Sequence, residues 1–357
     1  MTARTVISID AMGGDLGPGP VVAGLARVSA KAPDLRFILH GPEDRLAPLL
    51  ARRRALADRC EIRHAPHVVA MDVQPSKALR ARKGSSMWQA LEAVREGAAG
   101  CAVSAGNTGA LMAMAMLSLK RAEGIGRPAI AVHWPAMLSE GYTTVLDVGA
   151  DIRADPTHMA QYAIMGSEYA RLSLGIETPR VGLLNIGTEP TKGPPDLRTA
   201  AERIAEAAER SNGAFLYHGF VEGADISKGT VDVIVTDGFT GNVALKTAEG
   251  TAGMIRAVLK DAFRSTPLSR IAALFAWGSL QRLKKRIDPR RVNGGVFLGL
   301  EGSVVKSHGS ADAIGFAAAV KLAAKMAESD FPAHVAAQIE SLAMGSEPGE
   351  TTLGKGA

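Results

Sequence analysis

The chain has 357 residues, 46% of them hydrophobic and 4% aromatic, and its 41 Lys+Arg against 36 Asp+Glu leave a formal net charge of +5. That length supports a large core. Scarce aromatic residues and the lack of helix-turn-helix, RNP or zinc-finger spacing argue against a nucleic-acid binder; the basic balance suits phosphate-bearing substrates, an acidic carrier protein or an anionic lipid surface.

Residues 6–9 read as a buried strand that leads through Asp10-Ala11-Met12-Gly13-Gly14-Asp15 into a helix opened by Pro18 or Pro20. A strand at 36–40, a helix at 43–57 and a strand at 61–64 follow. Residues 71–83 carry Pro75, Lys77, Arg80, Arg82 and Lys83 and read as a loop or broken helix whose cations could face a phosphate or a carrier. Ser85 then caps a helix through Arg95. The strand at 101–104 runs through Ala105-Gly106-Asn107-Thr108-Gly109 into the apolar helix 110–119. Strands at 129–133 and 142–148 precede a helix that Asp155 caps and Pro156 opens.

The strand at 180–186 ends in the turn 187–193, which holds Lys192. Asp196 is expected to cap the next helix, with Leu197, Ala201, Ile204 and Ala208 on one face. After a short strand at 215–217 comes the β-branched run 231–235, the turn Thr236-Asp237-Gly238-Phe239-Thr240-Gly241-Asn242 and a helix. Within 254–291, Ile255, Val258, Leu259, Ala262 and Phe263 share a helical face, and Thr266 and Pro267 open a second helix carrying Leu268, Ile271, Leu274, Phe275 and Trp277. Arg282, Lys284, Lys285, Arg286, Arg290 and Arg291 then form a basic segment. The last unit is a strand at 304–306, the turn Ser307-His308-Gly309-Ser310 and a helix over 311–326. Residues 1–344 read as a single domain of one or two lobes, with a helical hairpin at 254–291 projecting, and the polar tail from Gly345 as disordered.

Repeated β-α alternation at this density predicts a three-layer α/β/α sandwich with a mostly parallel sheet. Four of its units join a strand to a helix through a polar, glycine-containing turn, an arrangement that aims backbone N–H groups and a helix dipole at an anion. Such turns lie at the carboxyl ends of strands, so all four are expected to converge on one crevice. Asp237, Lys192, Lys306 and His308 are the ionisable groups placed there, although Asp237 could instead close an Asx-turn and His308 could cap its helix. Rival chemistries fit less well. Gly124-Ile125-Gly126 follows a helix and leads into a strand, the reverse of a dinucleotide site, and Lys192 lacks the G-K-[ST] of a P-loop. Cys60, His64 and His67 straddle a strand without a second cluster, Cys101 sits in an apolar strand, and no G-x-S-x-G elbow is present. Two cysteines cannot form a disulfide framework, no apolar leader opens the sequence and no run approaches the ~20 apolar residues of a membrane span, so a cytoplasmic protein is expected. The joint reading is a phosphate-handling transferase.

IDAMGGDLGP at 9–18, PSKALRARKGSSM at 75–87, SAGNTGALM at 104–112, LLNIGTE at 183–189, VTDGFTGNVALKTAEG at 235–250 and VVKSHGSADA at 304–313 together resemble the bacterial phosphate acyltransferases of phospholipid synthesis. The resemblance implies transfer of a long-chain acyl group from acyl-carrier protein to inorganic phosphate. It also implies a fold similar to the isocitrate dehydrogenase and phosphotransacetylase group, a homodimer, and no metal or nucleotide cofactor. Neighbouring readings are a small-acyl phosphotransacetylase using coenzyme A and a noncatalytic acyl- or phosphate-binding protein of the same fold. Mapped onto this chain, the reaction assigns Asn107 and Asn242 as oxyanion donors, Lys306 and Asp237 as charged groups of the centre and His308 as proton donor to the leaving thiolate. Substrate binding falls to Asp10, Gly13, Gly14, Asp15, Ser104, Gly106, Thr108, Gly109, Lys192, Gly241, Ser307, Gly309 and Ser310. Departures from the expected pattern stand at Asp151, Phe220 and Pro190-Thr191. A poorly soluble acyl phosphate destined for a membrane, with an apolar face beside clustered cations at 254–291, predicts peripheral attachment to an anionic membrane surface, the alternative being a hairpin packed in the core or the dimer.

Overall fold

A computed structural model describes residues 5–286, 294–329 and 331–343. The strands are β1 (Val6–Asp10), β2 (Arg36–Gly41), β3 (Cys60–His64), β4 (Cys101–Ser104), β5 (Ala129–Pro135), β6 (Tyr142–Leu146), β7 (Arg180–Leu184), β8 (Leu216–Val221), β9 (Val233–Val235), β10 (Gly295–Leu298) and β11 (Ser303–Lys306). They form one sheet in the order β3-β2-β1-β4-β11-β10-β5-β6-β9-β7-β8. The helices are α1 (Pro18–Ser29), α2 (Glu43–Ala51), α3 (Arg54–Ala57), α4 (Pro75–Arg80), α5 (Ser86–Arg95), α6 (Thr108–Ser118), α7 (Pro156–Leu174), α8 (Pro195–Arg210), α9 (Gly223–Lys228), α10 (Gly238–Arg264), α11 (Pro267–Phe275), α12 (Trp277–Arg286), α13 (Ala313–Glu328) and α14 (Phe331–Ala343).

Alternation along the strands builds two cores. Cys101, Val103 and Val305 face one layer, which α1, α7, α8 and α13 close with Leu25, Tyr162, Ile204 and Phe316. Ala102 and Val304 point the other way, into a layer closed by Trp88 and Leu91 of α5 and Leu111 and Met114 of α6. Ala244, Leu245 and Ala248 pack the base of α10 on that same layer, so α6 and α10 share a face of the sheet. This is the three-layer, mostly parallel architecture expected.

Three junctions are antiparallel: β11 with β10, β10 with β5, and β5 with β6. Three reversals leave the block β6-β9-β7-β8 running opposite to β3-β2-β1-β4-β11. The expectation that all the turns share one sheet edge is therefore corrected: they form separate clusters at the ends of two opposed parallel blocks.

Local expectations hold at Ser85, whose side chain accepts from the Trp88 amide at 3.2 Å, and at Asp155, which accepts from the His158 amide at 2.8 Å. The helix expected over 43–57 is two, because Arg53 takes a non-helical backbone, φ −139° and ψ 65°. Asp196 does not cap α8: Pro194 occupies that place, and Asp196 lies in the first turn, where its charge suits the positive helix end. The basic segment holds the short helix α4.

Helix α10 leaves the body as a projection. It begins where the Gly238 amide donates to the Asp151 carbonyl at 2.8 Å, and a Cβ on Gly241 would overlap the Asp147 carbonyl oxygen. From Thr251 to Lys260 every residue is exposed, and α11 leaves Leu274 73% and Phe275 89% accessible. Lys284, Lys285 and Arg286 belong to α12, whereas Arg290, Arg291 and the tail from Gly345 lie outside the described residues. Among the described residues no helix is long and apolar enough to cross a membrane. The Gly241 contact is the tightest joint in this region. Gly241→Ala should therefore destabilise the protein by more than ~3 kcal/mol, read from the denaturant midpoint; a loss below ~1 kcal/mol would contradict the joint.

Candidate active site

Strands β1, β4 and β11 are adjacent and parallel, and their last residues pair side by side: Asp10 with Ser104, and Ser104 with Lys306. A carboxyl, a hydroxyl and an ammonium group thus stand in a row at the carboxyl ends. The Ser104 hydroxyl donates to Asp10 Oδ2 at 2.7 Å and accepts from the Gly106 amide at 3.0 Å. The amides of Met12 and Gly13 donate to Asp10 Oδ1 at 3.3 and 3.2 Å. Burial outweighs these bonds and one from Ser86, and raises the Asp10 pKa above the usual carboxylate value.

Lys306 Nζ reaches the carbonyls of Ala105, at 3.4 Å, and Ser307. Its ammonium is pushed down to about 8, first by burial and then by the charge of Lys246 on α10, against the pull of Asp10 and Asp15. Lys246, which the sequence reading missed, is the link between the two blocks. It rides the α10 face that leaves the end of β9 and is held by Glu249 at 2.8 Å.

The turns after these strands interlock. The Asp15 amide donates to the Gly309 carbonyl and the Ser307 amide to the Ser104 carbonyl, both at 2.8 Å. A Cβ on Gly13 would stand 2.6 Å from the Gly106 nitrogen, and one on Gly14, whose φ is +96°, would stand 2.8 Å from the Gly309 oxygen. His308 Nδ1 lies 2.9 Å from the Ser310 hydroxyl, with both residues exposed at the mouth. Thr108 and Gly109, also exposed, open α6, where the first amides have no partner within the helix. Fourteen of the expected site residues therefore gather here: Asp10, Gly13, Gly14, Asp15, Ser104, Gly106, Asn107, Thr108, Gly109, Lys306, Ser307, His308, Gly309 and Ser310.

Two of them carry different duties from those expected. Asn107 caps α6, accepting from the Ala110 amide at 2.8 Å, and its NH2 donates to the carbonyls of Met71 at 2.6 Å and Val73 at 3.2 Å. Both its N–H donors are committed, so it straps the 71–80 segment over the site instead of offering an oxyanion donor. The Ser104 hydroxyl, with both partners internal, is likewise a strut and not a phosphate donor.

Asp237, Gly241 and Asn242 lie in the second cluster. Asp237 caps α10, accepting from the Thr240 amide at 2.9 Å and the Thr240 hydroxyl at 2.7 Å, which is the structural alternative for this residue. Asn242 lies inside the first turn of α10, exposed and beside Gly149. The centre of this cluster is a residue the sequence reading passed over, Asp147. Five hydrogen bonds from the amides of Ile130, Gly149, Ala150 and Asp151 converge on its carboxylate at 2.6–3.1 Å, yet burial pushes it up to about 6. The signal was available: Asp147-Val148-Gly149 follows an apolar strand much as Asp10 does. The departure at Asp151 is accommodated by His158 Nδ1 and the Tyr162 hydroxyl, each 3.0 Å from Asp151 Oδ2. Lys192 stands exposed in a third turn, beyond β7, where Asn185 holds its carbonyl at 3.1 Å.

Cys101 is fully buried and its thiol is raised by desolvation, opposite to what a nucleophile requires. The Asn107 strap yields a direct expectation. Asn107→Ala should lower stability by ~1–2 kcal/mol and expose the 71–83 segment to proteolysis, whereas Asn107→Asp should keep the cap and still free the segment. Equal protease resistance in all three proteins would contradict the strap.

Comparison with known proteins identifies the family. Residues 5–334 match the model of the fatty acid synthesis protein family. The chain is 59% identical to a phosphate acyltransferase of Jannaschia sp. (strain CCS1) over 94% of its length and 91% of the relative's. It is 58% identical to a phosphate acyltransferase of Paracoccus denitrificans (strain Pd 1222), over 94% and 90% of the two chains. Among solved structures, a phosphotransacetylase from Streptococcus pyogenes superposes with a TM-score of 0.61 at 20% identity, covering 92% of this chain and 96% of that one. The EutD phosphotransacetylase from Staphylococcus aureus gives 0.60 at 14%, covering 91% and 94%; both likenesses concern the fold. With the fold, the motif row and the extended identity in agreement, the chain belongs to the phosphate acyltransferase family and is an acyl-transferring enzyme.

Proposed function

We propose that this enzyme moves a long-chain acyl group from acyl-carrier protein to inorganic phosphate, giving acyl phosphate for phospholipid synthesis. The observation that carries the reading is the Asp10–Ser104–Lys306 row, in which a desolvated ammonium stands at the strand ends from which the turn into α6 and the interlocked turns at Asp15 and Gly309 leave. Phosphate has a second pKa of ~6 to 7, so much of it is already the nucleophilic dianion at neutral pH, and the protein's task is to strip water from it and orient it. Lys306 and the amides of Thr108 and Gly109 are suited to hold it.

A phosphate oxygen attacks the thioester carbonyl carbon, a tetrahedral oxyanion forms, and its collapse breaks the C–S bond. The electron pair leaves on sulfur. The thiolate has a parent pKa of ~8.5, and His308, at the mouth of the site, is placed to supply its proton. Lys246, approaching from α10, adds a second cation for the charge that develops. In this reading the enzyme is a cytoplasmic homodimer without metal or nucleotide cofactor. It sits at an anionic membrane surface through the exposed apolar face that includes Leu268, Leu274, Phe275 and Trp277.

The test is acyl phosphate formation from purified protein, phosphate and long-chain acyl-carrier protein, followed against pH. Lys306 holds its charge below about 8 and loses it above, well short of the ordinary lysine value of 10.5. Wild-type kcat/KM for phosphate should fall as pH rises through about 8. In Lys306→Arg, whose cation does not titrate, that fall should vanish. An identical pH profile in the two proteins would remove Lys306 from the phosphate site, and no acyl phosphate from the carrier-bound donor would reject the function.

A further inference from the structure

The chain from Val73 to Leu91 contains no Asp or Glu, and within it Lys77, Arg80, Arg82 and Lys83 fall in seven residues. Lys77 and Arg80 lie three residues apart on α4, and Arg82 and Lys83 follow just past its end, so the four make up one basic ledge of chain. Lys77, Arg80 and Lys83 are exposed, and among the described residues none of the four pairs with a carboxylate. Arg82 is fixed in place: its Nη1 donates to the Leu79 carbonyl at 2.7 Å and its guanidinium lies 5.1 Å from the centre of the Trp88 ring. Beside it opens a recess of about 310 Å³ lined by Arg82, Lys83, Gly84, Trp88, Gln89 and Glu92. The one acidic member, Glu92, is engaged by Arg95 at 3.1 Å.

The ledge is built onto the active site. Asn107 ties Met71 and Val73 to the head of α6, a Cβ on Gly109 would stand 2.9 Å from the Pro75 ring, and one on Gly309 would stand 2.8 Å from the Met71 methyl. A macromolecule resting on Lys77–Lys83 therefore lies directly beside the mouth at Thr108 and Gly309. Unpaired cations side by side repel one another, an arrangement that is relieved when an anionic partner covers them.

We propose that the ledge formed by Lys77, Arg80, Arg82 and Lys83 is the docking surface for the acidic acyl-carrier protein, holding it while its flexible arm delivers the thioester past Met71 to the Asp10–Ser104–Lys306 row. This deepens the acyl-carrier reading above and rests on it. The apolar residues of α4 point inward, Ala78 buried and Leu79 half-buried, so the ledge lacks the apolar face that insertion into lipid requires. A folded acidic protein is the occupant that matches cations without apolar anchors.

The experiment reverses three exposed charges, Lys77→Glu, Arg80→Glu and Lys83→Glu, and leaves Arg82 packed on Trp88. Acyl phosphate formation is measured with acyl-carrier protein and with S-acyl pantetheine, a small donor without an acidic body, and binding of unacylated carrier is titrated directly. The triple variant should show a KM for acyl-carrier protein raised ~10-fold or more, a flatter dependence on salt, weakened binding of the unacylated carrier and unchanged turnover of S-acyl pantetheine. Unchanged carrier KM and binding would overturn the docking surface, as would an equal fall with both donors, which marks damage to the site. Loss of binding to anionic vesicles without change in carrier KM would assign the ledge to lipid and overturn it too. A wild-type protein that uses S-acyl pantetheine but not the carrier would instead reject the donor itself.

Discussion

Everything at this site depends on the register of three parallel strands. Pairing of β1 with β4, and of β4 with β11, brings Asp10, Ser104 and Lys306 into a row although they are separated by some 300 residues of chain. A slip of one residue in either pairing would turn one of these side chains to the opposite face of the sheet. The row is also where the protein accepts an energetic burden. A carboxyl and an ammonium group are both withdrawn from water, and burial shifts each towards its neutral form. Hydrogen bonds from Ser104, Met12 and Gly13 offset part of that burden for Asp10, and the pull of Asp10 and Asp15 offsets part of it for Lys306. What remains is a poorly hydrated cation, which an anion can stabilise.

The second block contributes through one helix. Asp147 gathers the turn after β6 with five hydrogen bonds, Gly241 allows α10 to approach its carbonyl, and the first turns of α10 then carry Lys246 towards Lys306. Beyond that point α10 has no core to bury itself in and becomes the stalk of the projecting apolar hairpin. Chemistry and projection are thus mechanically continuous. A rotation of α10 that moved the hairpin would move the Lys246 charge as well.

Much of this was legible in the sequence because it is local. Short apolar runs marked the strands expected over 101–104, 231–235 and 304–306, found at 101–104, 233–235 and 303–306, and Ser85, Asp155 and Thr266 cap helices where their side chains predict. The limits lie where partners are distant. Strand β10 is four residues long and follows a basic stretch, so it was missed, and with it two of the three antiparallel junctions. Asn107 looked like a free amide in a glycine-rich turn, and only the fold shows Met71 and Val73, 36 and 34 residues away, taking up its NH2. The roles of Asp147 and Lys246 likewise exist only after two blocks of sheet are brought together.

The central claim is that the anion sits at the Asp10–Ser104–Lys306 row and not at the turns of the second block. Diffraction from crystals soaked with tungstate, a tetrahedral dianion whose anomalous signal fixes its position, tests this most directly. An oxyanion is expected within ~3 Å of Lys306 Nζ and the amides that open α6. Tungstate bound at the Lys192 turn or at the Asp237 cap, with the Lys306 row empty, would contradict it.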